Sequence, residues 1–83
     1  MKRADVVRLV QQAVRARRLI FTSHALDEMD ADGETRESVA AALLRAKSFA
    51  LQDNGRWRVR GESLTVIVHI EADAVLVWTV YVG

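Results

Sequence analysis

Cysteine and proline are both missing from this 83-residue chain, and it holds only two histidines, His24 and His69. Without cysteine there is no disulfide framework and no thiolate metal site. Two histidines alone do not furnish a self-contained zinc site. A cofactor-free, metal-free protein is the expectation. No apolar run approaches the roughly 18 residues that span a bilayer. The first residues, Met1-Lys2-Arg3-Ala4-Asp5, lead into an amphipathic pattern and not into a signal-peptide core. A cytoplasmic protein with no membrane partner is therefore expected.

The apolar share is 51% and the charged share 28%, which suits one globular domain over residues 1–83. A chain this short buries only about 60% of the surface that its unfolded form exposes. Its stability should be modest, so a partner or a homodimer could support it. Net charge is only +1, yet it is unevenly spread. Lys2, Arg3, Arg8, Arg15, Arg17 and Arg18 face the single acid Asp5 over residues 1–20. Asp27, Glu28, Asp30, Asp32, Glu34 and Glu37 face only Arg36 over residues 24–38. Such blocks point to a charged partner, or else they neutralise each other or solvate exposed faces.

Periodicity divides the chain into elements. Asp5 offers a helix cap, and Val6, Val7, Leu9, Val10, Ala13 and Val14 form one helical stripe. That helix should end near Arg17 or Arg18. Leu19-Ile20-Phe21-Thr22 is a short β-prone run. Ser23 would cap a brief helix through Ala25, Leu26 and Met29, with Gly33 as its stop. Thr35 would cap a third helix burying Val39, Ala42, Leu43, Ala46 and Phe49. Asp53-Asn54-Gly55 reads as a turn. Three strands follow, Arg56–Arg60, Leu64–Ile70 and Val75–Val82, joined as an antiparallel meander. The last is apolar on both faces, which predicts a central strand covered by helices. Helices gathered first and strands last give an α+β class, with N-terminal helices packed on an antiparallel sheet.

His24 ends a short apolar run where a helical pattern begins. Its resting pKa lies nearest neutrality, so it can act as acid or base towards a ribose 2′-hydroxyl or a leaving 5′-oxygen. It can equally be a ring that fills a gap beside Phe21. Strand period puts Arg56, Arg58 and Arg60 on one face, with Trp57 and Val59 on the other. Guanidinium groups in a row call for an anion, and phosphate fits them bidentately. The opposing reading is a charged edge strand, or a face paired with the acidic helix. Trp57 and Trp78 both read as core, and of the two Trp57 is the candidate stacking platform for a base. Tyr81 offers a hydroxyl for a phosphate or a ring for stacking, or is simply an amphipathic rim residue. Glu28 follows His24 by one helical turn and can orient it. His69 reads as a half-buried structural residue.

The pattern Phe21-Thr22-x-His24-Ala25-x-x-x-Met29, the capped helix from Thr35, and Arg56-Trp57-Arg58-Val59-Arg60-Gly61 with a closing hairpin resemble a family of small bacterial proteins. This uncharacterised-domain family is grouped with the RelE and MqsR type toxins. The resemblance covers residues 5–82 and its motifs are short. It implies a RelE-like fold and a metal-independent endoribonuclease acting on mRNA, made beside an antitoxin. In some members of that family the antitoxin carries a zinc finger and a helix-turn-helix. Under the resemblance His24 matches the family's histidine, Arg58 and Arg60 fall in its basic strand, and Tyr81 falls where such toxins often place a functional side chain. Many members have arginine four residues after the histidine. Here that position is Glu28, which removes a positive group from a phosphate site.

These observations lead to one expectation: a ribonuclease toxin with catalytic His24, Arg58 and Tyr81, and RNA held by Arg56, Arg60 and Trp57. The competing expectation is a non-catalytic module of the same fold that binds nucleic acid or protein.

Overall fold

The computed structural model describes residues 1–83. Three helices come first, α1 (Arg3–Arg15), α2 (Ser23–Asp32) and α3 (Arg36–Leu44), with β1 (Leu19–Phe21) between α1 and α2. Four strands follow: β2 (Ser48–Leu51), β3 (Trp57–Arg60), β4 (Leu64–Ile70) and β5 (Val75–Val82). They form one five-stranded sheet in the order β1-β5-β4-β3-β2. The α+β class expected from the sequence is the one observed. No helix is long and apolar enough to cross a membrane.

The sheet is mixed, not purely antiparallel. β3 to β5 form the expected meander, which β2 extends, but β1 pairs with β5 in parallel, Leu19 opposite Val75 and Phe21 opposite Val77. A parallel pair needs a long crossover, and residues 22–74 lie between its two strands. β2 is a second departure. Phe49 belongs to this strand and not to α3, which ends at Leu44. Phe49 pairs with Val59, and its carbonyl accepts a hydrogen bond from Arg3 Nε at 2.9 Å. That bond ties the start of α1 to the outer edge of the sheet.

One face of the sheet carries the core. Val6, Val10 and Ala13 of α1 and Val39 and Leu43 of α3 pack on Trp57, Val59, Val66, Val68, Val75, Val77 and Val80. Each fully buried Val or Leu contributes about 1.5–3 kcal/mol. Period-2 alternation then sends Arg58 and Arg60 to the other face, which no helix covers. β5 is thus covered on one side only, contrary to its doubly apolar sequence. Ile67 of β4 is nonetheless buried on that second face, outside the main core.

Helix ends differ in detail from the sequence reading. Thr22, not Ser23, caps α2 and accepts from the Ala25 N–H. Lys2 stands at the N-cap of α1, while Asp5 lies in its first turn beside Arg8. Gly33 ends α2 in the left-handed conformation at φ 70°, as expected. Thr35 and Ser38 form a reciprocal capping box at α3.

α2 has a further duty. β1 is too short to cover β5, so the far part of β5 would expose an unpaired backbone edge. Thr22 Oγ1 donates to the Trp78 carbonyl at 3.0 Å, and Val80 N–H donates to Glu28 Oε1 at 3.1 Å. α2 therefore replaces with side chains the ladder that β1 does not supply.

Candidate functional site

The uncovered sheet face is built from cross-strand rungs. Ser48, Arg60, Thr65 and Tyr81 lie opposite one another across β2, β3, β4 and β5. Ala50, Arg58, Ile67 and Thr79 form the next rung. Side chains along a rung share a face, so both guanidinium groups and the tyrosine ring meet there. Arg58, Arg60, Thr65, Tyr81 and Gly83 line an open depression of about 280 Å³. Its floor is Thr65, 2% exposed, whose hydroxyl donates to the Gly83 carbonyl at 2.7 Å.

Neither Arg58 nor Arg60 joins an ion pair. The basic–acidic contacts within 4.0 Å are Arg8–Asp5, His24–Glu28 and His69–Glu71, the last two ionic only with a protonated imidazole. The sequence left open that these arginines pair with the acidic helix, and they do not. Two unpaired guanidinium groups in one depression offer five donors each and no acceptor, which suits an anion. The Tyr81 hydroxyl adds a neutral donor at the rim.

Arg56 takes a separate position. It lies in the turn before β3, where its N–H donates to Asn54 Oδ1 at 3.0 Å. Its guanidinium sits over the Trp78 ring, 3.7 Å from the centroid. Trp78 shares this face with Leu76 by alternation, and the bulge at Trp78 keeps Thr79 and Tyr81 on the same face. Val77 pairs with Val68 and Thr79 with Ile67, so Trp78 has no residue opposite it.

The tryptophan exposed on this face is Trp78, 37% exposed, and not Trp57, which is 7% exposed and in the core. The expectation for Trp57 fails because it alternates with the arginines, and the face opposite theirs is the one the helices cover. A signal for Trp78 was present. In Val75-Leu76-Val77-Trp78 the alternation sets Trp78 with Leu76, away from the two valines.

His24 does not line the depression. It stands in the first turn of α2, its side chain 65% exposed, with Nε2 3.3 Å from Glu28 Oε1. That oxygen is the one that accepts the Val80 N–H. His24 therefore sits at the free edge of β5, beside the residue that precedes Tyr81. Strands are about 4.8 Å apart, so the arginines of β3 lie about 10 Å inside that edge. His69 lies on the open face near the opposite end of β4 and is half-exposed, 4.0 Å from Glu71.

No protein-family model, curated protein or solved structure matches the chain. The geometry stands by itself: an uncovered face with a two-arginine, one-tyrosine depression, a tryptophan stacked under a third arginine, and a histidine at the margin.

Proposed function

We propose that the uncovered sheet face binds single-stranded RNA and that the chain is the metal-independent endoribonuclease toxin of a type II toxin–antitoxin pair. The observation that carries the RNA reading is the rung in which Arg60 and Tyr81 share a face with Arg58, none of the arginines being neutralised. Guanidinium groups grip phosphate, and Trp78 beside them offers a ring on which a base can stack. The RelE and MqsR resemblance supplies the cleavage half of the proposal, together with a cognate antitoxin as partner and the cytoplasm as site of action.

A strand of RNA laid across the rungs would run from β3 towards the edge of β5. Its phosphate would meet Arg58 and Arg60 first and His24 last. In cleavage the ribose 2′-oxygen bonds to phosphorus as its proton passes to a base. The phosphorus–5′-oxygen bond then breaks and the 5′-oxygen takes a proton. The products are a 2′,3′-cyclic phosphate and a 5′-hydroxyl. His24 is the acid or base of this scheme, with Tyr81 assisting, and the arginines stabilise the added charge on phosphorus.

One observation favours a second reading, an RNA-binding module without catalysis. His24 lies outside the depression and is held against Glu28, whose carboxylate already serves the sheet edge. Incubating the purified chain with a mixed-sequence single-stranded RNA separates the two. Binding with cyclic-phosphate ends that vanish in His24→Ala supports the nuclease. Binding without cut ends leaves the module, and absence of binding ends both. Expression in a bacterium should slow growth, and His24→Ala should relieve it.

A further inference from the structure

The edge of the sheet opposite β2 is open, and it borders a groove of about 350 Å³. Val14, Leu19, Phe21 and Ala40 give the groove its apolar lining, and Arg17, Arg36 and Glu37 its rim. β1 forms the groove's wall. Val75 N–H donates to the Arg18 carbonyl and Thr22 N–H to the Val77 carbonyl, both at 3.1 Å. In a parallel pair this phase turns the Ile20 backbone towards β5. The N–H and C=O groups of Leu19 and Phe21 then point outward, where no strand meets them. Ile20 itself is 52% exposed on the opposite face. β1 is a short edge of three residues, all apolar and without a bulge.

Two features of the arginines mark the groove for a ligand. The Arg36 guanidinium lies over the Phe21 ring, 5.1 Å from its centroid, and makes no ion pair. Arg17 also makes none, and it holds a left-handed backbone at φ 57°, the only residue other than glycine to do so. The end of α1 explains the conformation. Arg18 N–H donates to the Ala13 carbonyl at 2.8 Å and Arg17 N–H to the Val14 carbonyl at 3.3 Å. This double bond pattern wants glycine at the position Arg17 fills. A strained arginine at the mouth of an apolar groove points from outlier to function.

We propose that the free edge of β1 receives an extended segment of a partner protein as a sixth strand, with an apolar side chain in the groove and flanking carboxylates on Arg17 and Arg36. The added strand bonds to the outward amides and carbonyls of Leu19 and Phe21. Its residues alternate, so those two positions apart share the groove side. Leu19 and Phe21 are about 6.6 Å apart, the spacing of alternate residues on the added strand, so an acid–apolar–acid set at alternate positions spans about 13 Å. A second copy of the chain fits less well. β1 paired with its own copy across a two-fold would bring two Arg17 and two Arg36 side chains to one seam. This proposal stands independently of the RNA reading, since the groove and the arginine depression use different residues.

The test uses the full chain and the end-blocked peptide Thr-Glu-Ile-Val-Ile-Glu-Thr, with a version carrying lysine for both glutamates. The glutamate peptide should bind in calorimetry and the lysine peptide should not. Binding should protect the Leu19 and Phe21 amides from hydrogen exchange. Arg17→Gly and Arg36→Gln should each weaken it about tenfold, the size expected for a charge-assisted pair. Arg17→Gly should also raise the unfolding midpoint, so its loss of binding is not a loss of fold. Arg58→Glu should leave the affinity unchanged. Failure of the glutamate peptide to bind, equal binding of both peptides, or unprotected Leu19 and Phe21 amides would overturn the proposal. So would protection that grows with protein concentration alone, which would assign the edge to a second copy.

Discussion

The guanidinium of Arg56 sits 3.7 Å from the centroid of Trp78, joining the turn before β3 to the bulge of β5 across the strand between them. Such a contact contributes about 0.5–1 kcal/mol at an exposed site. Its larger consequence is placement, because it sets an aromatic ring beside the arginine depression. The two tryptophans should therefore separate cleanly. Trp78→Ala should lower RNA affinity by about 1–3 kcal/mol, the range for a lost base stack, and change stability by about 1 kcal/mol or less. Trp57→Ala should cost about 3–5 kcal/mol of stability through its core cavity. Urea unfolding with fluorescence anisotropy on labelled RNA checks both. Equal loss of stability in the two variants would remove Trp78 from the binding face.

Much of the fold was written locally. The strands at Leu64–Ile70 and Val75–Val82, the Thr35 cap and the Gly33 stop could be read at the residue because each has its own chemistry. The alternation of Arg56-Trp57-Arg58-Val59-Arg60 told which side chains share a face. What it could not tell is which face the helices cover, and that is why Trp57 was taken for a platform. β2 was hidden for another reason. Ser48-Phe49-Ala50-Leu51 has no β-branched residue and no turn before it, so the segment reads as more of α3. It is a strand because β3 and Arg3 pair with it, and both partners are distant in sequence. The parallel seat of β1 is likewise a long-range fact. In the candidate site, Arg58, Arg60 and Tyr81 were legible and do converge. Trp78 was read as core, because the doubly apolar β5 was expected to be covered on both faces.

Glu28 carries a structural load that its position four residues after His24 did not suggest. Its carboxylate accepts the Val80 N–H at the uncovered edge of β5. Glu28→Ala should cost about 1.5–3 kcal/mol, the value of a hydrogen bond to a charged group, somewhat reduced by partial exposure. Glu28→Gln keeps an acceptor oxygen and should cost less. Glu28→Arg should be the worst of the three, because it sets a donor against a donor. Denaturant midpoints rank them. A neutral Glu28→Arg would mean that α2 does not depend on this bond to hold the sheet edge.

Gly61 tests the seat of α3. A Cβ built there would lie 3.2 Å from the Ala42 Cβ and 3.3 Å from the Leu64 carbonyl oxygen. The carbonyl belongs to the bond from the Gly61 N–H at 2.8 Å, so it cannot easily yield. Gly61→Ala should destabilise by about 1–3 kcal/mol, as overpacking does. Ala42→Gly in the same chain should recover part of that loss, although glycine inside a helix costs about 0.5–1 kcal/mol by itself. Thermal unfolding of the two single variants and the double variant gives the coupling. Strict additivity would mean that the helix and the turn do not touch as described.

Arg58 and Arg60 differ from every other basic residue of the chain in sharing one depression with Tyr81. If they hold phosphate, each binding event releases counterions, and the logarithm of affinity falls linearly with the logarithm of salt. Replacing either arginine with glutamine should make that line shallower by about one phosphate contact, and replacing both by about two. Arg17→Gln, altered at the far edge of the sheet, should leave the slope unchanged while removing the same formal charge. That control matters, because loss of any positive charge weakens attraction to RNA in general. Equal slopes for all three single variants would mean that RNA senses only net charge, and the depression on the uncovered face would lose its claim to be the binding site.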